Sequence, residues 1–206
     1  SAQDPDKLPD RRAGLVELGA EVTGRDDLRY IHTFGAEGVR PEKTSLAFPY
    51  AGFYVMRSDW SAEARYLVFD GGQSAGGHNH VDKLSFELYA YGNTLVTDSG
   101  CAGPWSSAWR SDYFVGTAGH NTIMVDGRGQ VAGFPLFDIP SVHGRTPWHA
   151  IAPEPLPNTW VSGSQFDYAG SRYRDGYADY GSEQSRRRGF AYESRRVDRV
   201  DIMQPW

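Results

Sequence analysis

The stretch Gly76-Gly77-His78-Asn79-His80-Val81-Asp82-Lys83-Leu84-Ser85-Phe86-Glu87-Leu88-Tyr89-Ala90-Tyr91-Gly92 decides how the chain is read. Its second half alternates. Leu84, Phe86, Leu88 and Ala90 share one face and Ser85, Glu87, Tyr89 and Tyr91 the other, the period of a half-buried β-strand. Carried back to His78, that period puts His78, His80 and Asp82 on one face, with His78 and His80 about 7 Å apart. Two imidazoles and a carboxylate crowded at a Gly-rich strand entrance are costly to leave unpaired, so chemistry is expected there.

Working outward, Tyr91-Gly92-Asn93-Thr94 is a turn sequence, and an apolar strand over 94–97 closes on Asp98. Further strands are predicted at 52–57, 64–69 and 121–125, with weaker candidates at 135–139, 148–152, 160–166 and 190–201. Asp126-Gly127-Arg128-Gly129 is a second turn sequence. With no helix of useful length between these strands, βαβ units are excluded and an antiparallel β-sandwich is predicted. In front of it, Ala13, Leu15, Val16, Leu18, Gly19 and Val22 follow a helical pattern over 11–22, and Asp26-Asp27 is placed to cap a second short helix through Phe34. Residues 35–43 read as a linker. The chain therefore divides into a short helical part with its linker, 1–45, and a mainly β part, 46–206.

Composition narrows the function classes. Of 206 residues, 39% are hydrophobic and 14% aromatic, enough for a sizeable core, and 24 Gly with 12 Pro suit many short strands joined by turns. Net charge is -5, so no global basic field exists to hold nucleic acid. Cys101 is the one cysteine, which rules out an internal disulfide and CxxC-type zinc sites. No apolar run approaches the ~20 residues that span a bilayer, and residues 1–10 carry no apolar signal-peptide core. The basic run Ser185-Arg186-Arg187-Arg188, beside Tyr177, Tyr180 and Tyr192, is either a solvated strand edge or a docking patch for an acidic glycan, and charge alone leaves both open.

Three pieces form a constellation: His78-x-His80; Asp98 in Thr94-Leu95-Val96-Thr97-Asp98-Ser99-Gly100; and His120 in Thr117-Ala118-Gly119-His120-Asn121-Thr122-Ile123-Met124-Val125-Asp126-Gly127. A hairpin about Gly92-Asn93 returns Asp98 toward His80, and a strand starting at His120 brings a second imidazole to the same end. Two imidazoles and one carboxylate suit Zn²⁺ with water as a fourth ligand. Asp82 or Asn121 would then supply the outer hydrogen bonds that fix the rings. Each piece also has a structural reading: a hydrogen-bonded strand histidine, or an aspartate that forms the turn before Ser-Gly. Spacing leaves the two open.

These same motifs closely resemble the heparinase II/III-like polysaccharide lyases, a family that includes alginate and oligoalginate lyases. The likeness runs over 48–130, more loosely over 135–180, and Phe53-Tyr54-Val55-Met56-Arg57-Ser58-Asp59-Trp60 resembles the family's first β-domain strand. The resemblance implies an α/α toroid followed by an antiparallel β-sandwich, with substrate in the cleft between them. On it, residues 1–45 are the end of the toroid, and the chain stops at Gln204-Pro205-Trp206 before the sandwich is complete. It implies that His80, Asp98 and His120 bind a zinc that is mainly structural, and that His78 faces the substrate and helps neutralise a uronate carboxylate. The reaction implied is β-elimination on a uronate-containing polysaccharide, with the catalytic base in the toroid, outside this chain. A periplasmic or secreted location is implied too, and a homodimer is compatible. One departure stands out. Cys101-Ala102-Gly103-Pro104-Trp105 occupies the place of a tyrosine-bearing segment, so Trp105 or Tyr113 would have to take over its sugar contacts. Two other classes stay open: a carbohydrate-binding sandwich stacking sugars on Trp105, Trp109, Tyr113 and Trp160, and a metal-dependent hydrolase in which zinc activates water.

Overall fold

The computed structural model describes residues 11–72, 80–100, 113–130, 154–173, 177–178 and 197–206. The chain forms two compact units that meet in sequence between Thr44 and Ser45. The first holds two helices, α1 (Arg11–Thr23) and α2 (Asp26–His32). Gly24 ends α1 in the left-handed region, φ 66°, its N–H bonded back to Ala20 O at 2.9 Å. The residue capping α2 is Arg25, whose side chain makes no cap bond. Asp26 and Asp27 lie inside the first turn instead, where their charge still favours the helix dipole.

The second unit is an antiparallel β-sandwich. One layer is a five-stranded meander: β1 (Leu46–Phe48), β2 (Phe53–Arg57), β3 (Tyr66–Asp70), β4 (Phe86–Ala90) and β5 (Asn93–Val96), in sequence order. The other is three-stranded, with β8 (Phe166–Tyr173) between β10 (Val197–Pro205) and β7 (Thr159–Ser162). A small ladder joins β6 (Gly129–Gln130) to β9 (Tyr177–Ala178).

Register explains the layering. Ala47, Tyr54, Phe69 and Phe86 lie abreast on one face of the meander, as do Met56, Leu67 and Leu88. That face packs on Ala169, Tyr173 and Trp160 of the second layer, and Tyr54, Met56, Phe69, Ala169, Tyr173 and Tyr177 are at most 2% exposed. Burying each such large apolar side chain contributes roughly 1.5–3 kcal/mol. On the outer face the Arg57 guanidinium sits between the rings of Trp60 and Tyr66, 4.3 and 4.4 Å from their centroids.

The hairpin from β4 to β5 turns at Tyr91-Gly92, with φ of 54° and 72° and Ala90 paired to Asn93. This is a two-residue turn of the primed kind that matches strand twist. The predicted strand at 84–91 starts later than expected, because Leu84 has φ 63° and the chain turns there before β4 begins at Phe86. Residues 121–125 are not a strand. Asn121 bonds to Phe86 of β4 through its side-chain amide and its own carbonyl, and an isolated bridge links Val125 to Arg128 about Asp126-Gly127. The strand that resembles the family's first is preceded by β1, paired Leu46 to Val55. The candidate at 160–166 takes in β7 from Trp160 to Ser162, the turn after it and the first residue of β8, and the one at 190–201 appears as β10, described from Val197. Strands expected at 135–139 and 148–152, and the arginine run at 186–188, lie outside the described residues.

Candidate functional site

The site gathers at the end of the meander where β4 begins and β5 ends. Asp98 follows β5 by two residues, and its Oδ1 accepts the Gly100 N–H at 2.7 Å, with Gly100 at φ 66°. It is thus the turn former that Asp-Ser-Gly suggests. Its other oxygen, Oδ2, lies 2.5 Å from His120 Nδ1. One carboxylate therefore shapes the loop and holds an imidazole.

His120 comes off a 3₁₀ turn, Thr117–Gly119. A Cβ on Gly119 would stand 2.4 Å from Tyr113 O, so only glycine lets the backbone pass at that point and aim the next residue inward. The His120 side chain is fully buried. His80 lies alongside, the two rings 5.1 Å apart between centroids. Asp82 completes the group: ligand atoms of His80, Asp82 and His120 all lie within 4.8 Å of one another. Bonds of roughly 2.0–2.2 Å to a shared ion set two ligand atoms at most about 4.4 Å apart, so the three donors have only to close in slightly to meet on one cation.

The chemistry of the donors points the same way. With His120 Nδ1 donating to Asp98 Oδ2, the ring keeps a lone pair on Nε2 that can face a cation. That Nε2 is buried and has no hydrogen-bond partner among the described residues. A buried imidazole nitrogen without a proton donor is costly, and a cation would satisfy it. A carboxylate behind a ring whose other nitrogen faces a cation is the usual support of a metal-bound histidine. The residues present fit a divalent metal.

Next to the group, Lys83 is almost buried and its Nζ donates to Gly72 O at 2.5 Å. Burial pushes the Asp70 carboxyl up to about 6; the Gly72 N–H bond opposes this, the Asp82 charge adds to it and the Lys83 charge offsets it. Neither Asp70 nor Lys83 was singled out from sequence. Asp70 closes an apolar strand and could have been suspected on that ground, as Asp98 was. Asn121 acts on the main chain instead of the rings, its amide donating to Phe86 O at 3.2 Å and Thr97 O at 2.9 Å.

Of the expected sugar-facing residues, Tyr113 is 43% exposed and meets Phe114 edge to face at 5.3 Å. His78 and Trp105, with Trp109, lie outside the described residues. Trp160 is half-buried with its ring 5.6 Å from that of Tyr54, so it is a core residue and not a sugar platform. A cleft of about 530 Å³ opens between the layers, lined by Phe69, Leu84, Phe86, Ile123, Val200 and Ile202 with a few polar neighbours. Such an apolar lining does not suit an anionic sugar.

A family model described as heparinase II/III-like, C-terminal, matches residues 40–202. A heparin-sulfate lyase of Bacteroides stercoris is 33% identical over 104 residues, covering 49% of this chain and 16% of the relative. One from Bacteroides thetaiotaomicron is 30% identical over 115 residues, covering 48% and 16%. Among solved structures, a heparan sulfate lyase of Pedobacter heparinus superposes with a TM-score of 0.60 at 22% identity, covering 78% of this chain and 23% of that one. That likeness is one of fold. The chain spans about one-sixth of the length of these curated relatives.

Proposed function

This chain belongs to the heparinase II/III-like family, and from that premise we propose that it acts as part of a polysaccharide lyase cleaving a uronate-containing chain by β-elimination. The relatives' names point to heparin-type glycosaminoglycan as the first polymer to try. In such a reaction a base removes the proton on C5, the electron pair forms the C4–C5 double bond, and the bond from C4 to the glycosidic oxygen breaks. That oxygen leaves with a proton. The difficulty is charge, because abstraction beside an ionised carboxylate places a second negative charge on the same group. Donors aimed at the carboxylate ease this, and one such donor contributes about 3 kcal/mol. His78 is the residue proposed for that task, with Trp105 and Tyr113 against the sugar rings. None of the residues named here is assigned as the base.

The observation that carries the metal part of the proposal is the buried, unpartnered Nε2 of His120 beside His80 and Asp82. We assign that place to zinc, with His80, Asp82 and His120 as ligands and Asp98 holding His120. When bound, zinc supplies a fixed positive charge that ties the loop before β4 to the turn at 117–119. The family resemblance favours a second assignment in which Asp98 is the carboxylate ligand. Asp82→Asn and Asp98→Asn separate the two. Loss of a ligand abolishes zinc binding, whereas loss of a supporting partner weakens it about 10–100-fold.

The lyase proposal is tested by incubating the polypeptide encoded by the whole reading frame with heparin-type and other uronate polymers. The expected result is absorbance from a conjugated, unsaturated uronate that is reduced in His78→Ala. Products without a double bond, lost on chelation, would instead assign a zinc hydrolase. Glycan binding that survives loss of His78, with no product at all, would make the sandwich a binding module. A homodimer and a periplasmic location remain expectations from the same family likeness, checked by light scattering and by fractionation.

A further inference from the structure

The two arms that carry the metal-binding group are far apart in sequence, and one side chain outside every motif fastens them together. Gln130, in β6, is 0% exposed. Its Oε1 accepts the Lys83 N–H at 2.9 Å and its Nε2 donates to Lys83 O at 2.7 Å, a two-point bond to the residue after Asp82. The second Nε2 proton reaches Thr122 Oγ1 at 3.2 Å, two residues beyond His120, and that hydroxyl also donates to Lys83 O. Gln130's own N–H donates to Thr117 Oγ1 at 2.8 Å, at the start of the turn that delivers His120. The amide oxygen and both amide protons are thereby used on groups close in sequence to Asp82 or His120, while the Gln130 main chain pairs with Tyr177 of β9.

Such an arrangement exceeds what packing needs. An amide in an apolar interior must be fully bonded to be tolerated, and an apolar side chain of the same size would fill the space at less risk. Among the described residues no strand pairs with the main chain of Lys83, which precedes β4 and whose N–H and C=O are bonded by Gln130. Gln130 stands in for the absent strand. By doing so it sets how far the His80–Asp82 arm lies from the His120 arm, and supporting partners of this sort govern the affinity of a metal site.

We propose that Gln130, with Thr117 as its anchor, is a positioning residue that holds the His80–Asp82 loop and His120 at metal-binding separation. This rests on the assignment of a metal to that group. The test uses the whole chain with zinc and cobalt(II) as probes, comparing wild type, Gln130→Met, Thr117→Val and a core control, Met56→Ala. Titration gives affinity, the cobalt d–d spectrum gives ligand geometry, and urea midpoints give stability. Expected are a 10–100-fold loss of zinc affinity and an altered cobalt spectrum in Gln130→Met, a smaller loss in Thr117→Val, and wild-type affinity and spectrum in Met56→Ala despite its lower midpoint. Wild-type affinity and spectrum in both site variants would overturn the proposal alone. So would equal losses in Met56→Ala, which would make the effect one of general stability. Should Gln130→Met not fold, Thr117→Val carries the comparison. Wild-type protein that takes up no metal would overturn the metal assignment itself, and this proposal with it.

Discussion

At the scale of single residues, His120 and Asp70 show two ways of burying a titratable group. His120 is held by Asp98 on one nitrogen and, among the described residues, has no partner on the other. Replacing it by alanine is expected to remove metal binding and the metal-dependent part of thermal stability together, since a ligand that binds only the folded state adds to folding free energy. Elemental analysis and melting curves with and without zinc check this. An unchanged melting temperature on zinc addition to wild type would refute it. Asp70 is the opposite case, because its carboxyl is pushed up to about 6, chiefly by burial. An unfolded aspartate titrates near 3.9, so this contribution to stability is complete below that value and is lost as pH rises through about 6. In chelated protein the shift corresponds to about 3 kcal/mol. Asp70→Asn keeps a carbonyl acceptor for Gly72 N–H and is expected to lack that fall. Urea unfolding of both proteins across this pH range should show their stabilities diverge; parallel profiles would contradict it.

At the scale of elements, the meander depends on one close crossing. Gly52, just before β2, has φ 86°, and a Cβ there would lie 2.3 Å from Gly72 Cα. The backbone of one turn rests on the other, and Gly71 N–H bonds to Gly52 O at 2.9 Å. Gly52→Ala combines about 1–2 kcal/mol of left-handed strain with a backbone clash, and is expected to destabilise by more than either. Met56, fully buried on the inner face of β2, is a simpler case. Met56→Ala should cost about 2–5 kcal/mol by the cavity it leaves, read from the urea midpoint. A Gly52→Ala midpoint equal to wild type would show that the crossing relaxes.

At the scale of the molecule, the chain spans about one-sixth of its curated relatives, and the proposed chemistry needs a base that none of the residues assigned here supplies. The expectation is that this chain alone yields no unsaturated uronate from heparin-type polymer, while still binding zinc. Turnover by the isolated chain would place a base within it. The exposed apolar residues Leu15, Leu18 and Val22 of α1 belong to the helical unit, and the sandwich keeps its own core.

Much of this was legible in the sequence. Period-2 alternation in Phe86–Ala90, and in the strands before it, specifies a half-buried antiparallel sheet, because a one-residue slip would turn every core side chain to water. Tyr91-Gly92 and Asp126-Gly127 turn where their composition says, since left-handed backbone is a local property. His80, Asp98 and His120 were likewise visible as candidates, with their spacing leaving a metal site and a purely structural role both open. Other features could not be read from local pattern. Leu84 looked like the start of a strand because its side chain is apolar, yet its backbone is left-handed, where its own N–H bonds to Asp70 O and the preceding Lys83 is held by Gln130. Whether Asp82 or Asp98 stands nearest the imidazoles, and that Gln130 fastens both arms, depend on contacts 13 to 47 residues apart. Sequence periodicity reports only which way a side chain points from its own strand; which distant side chain it meets is settled when the layers close.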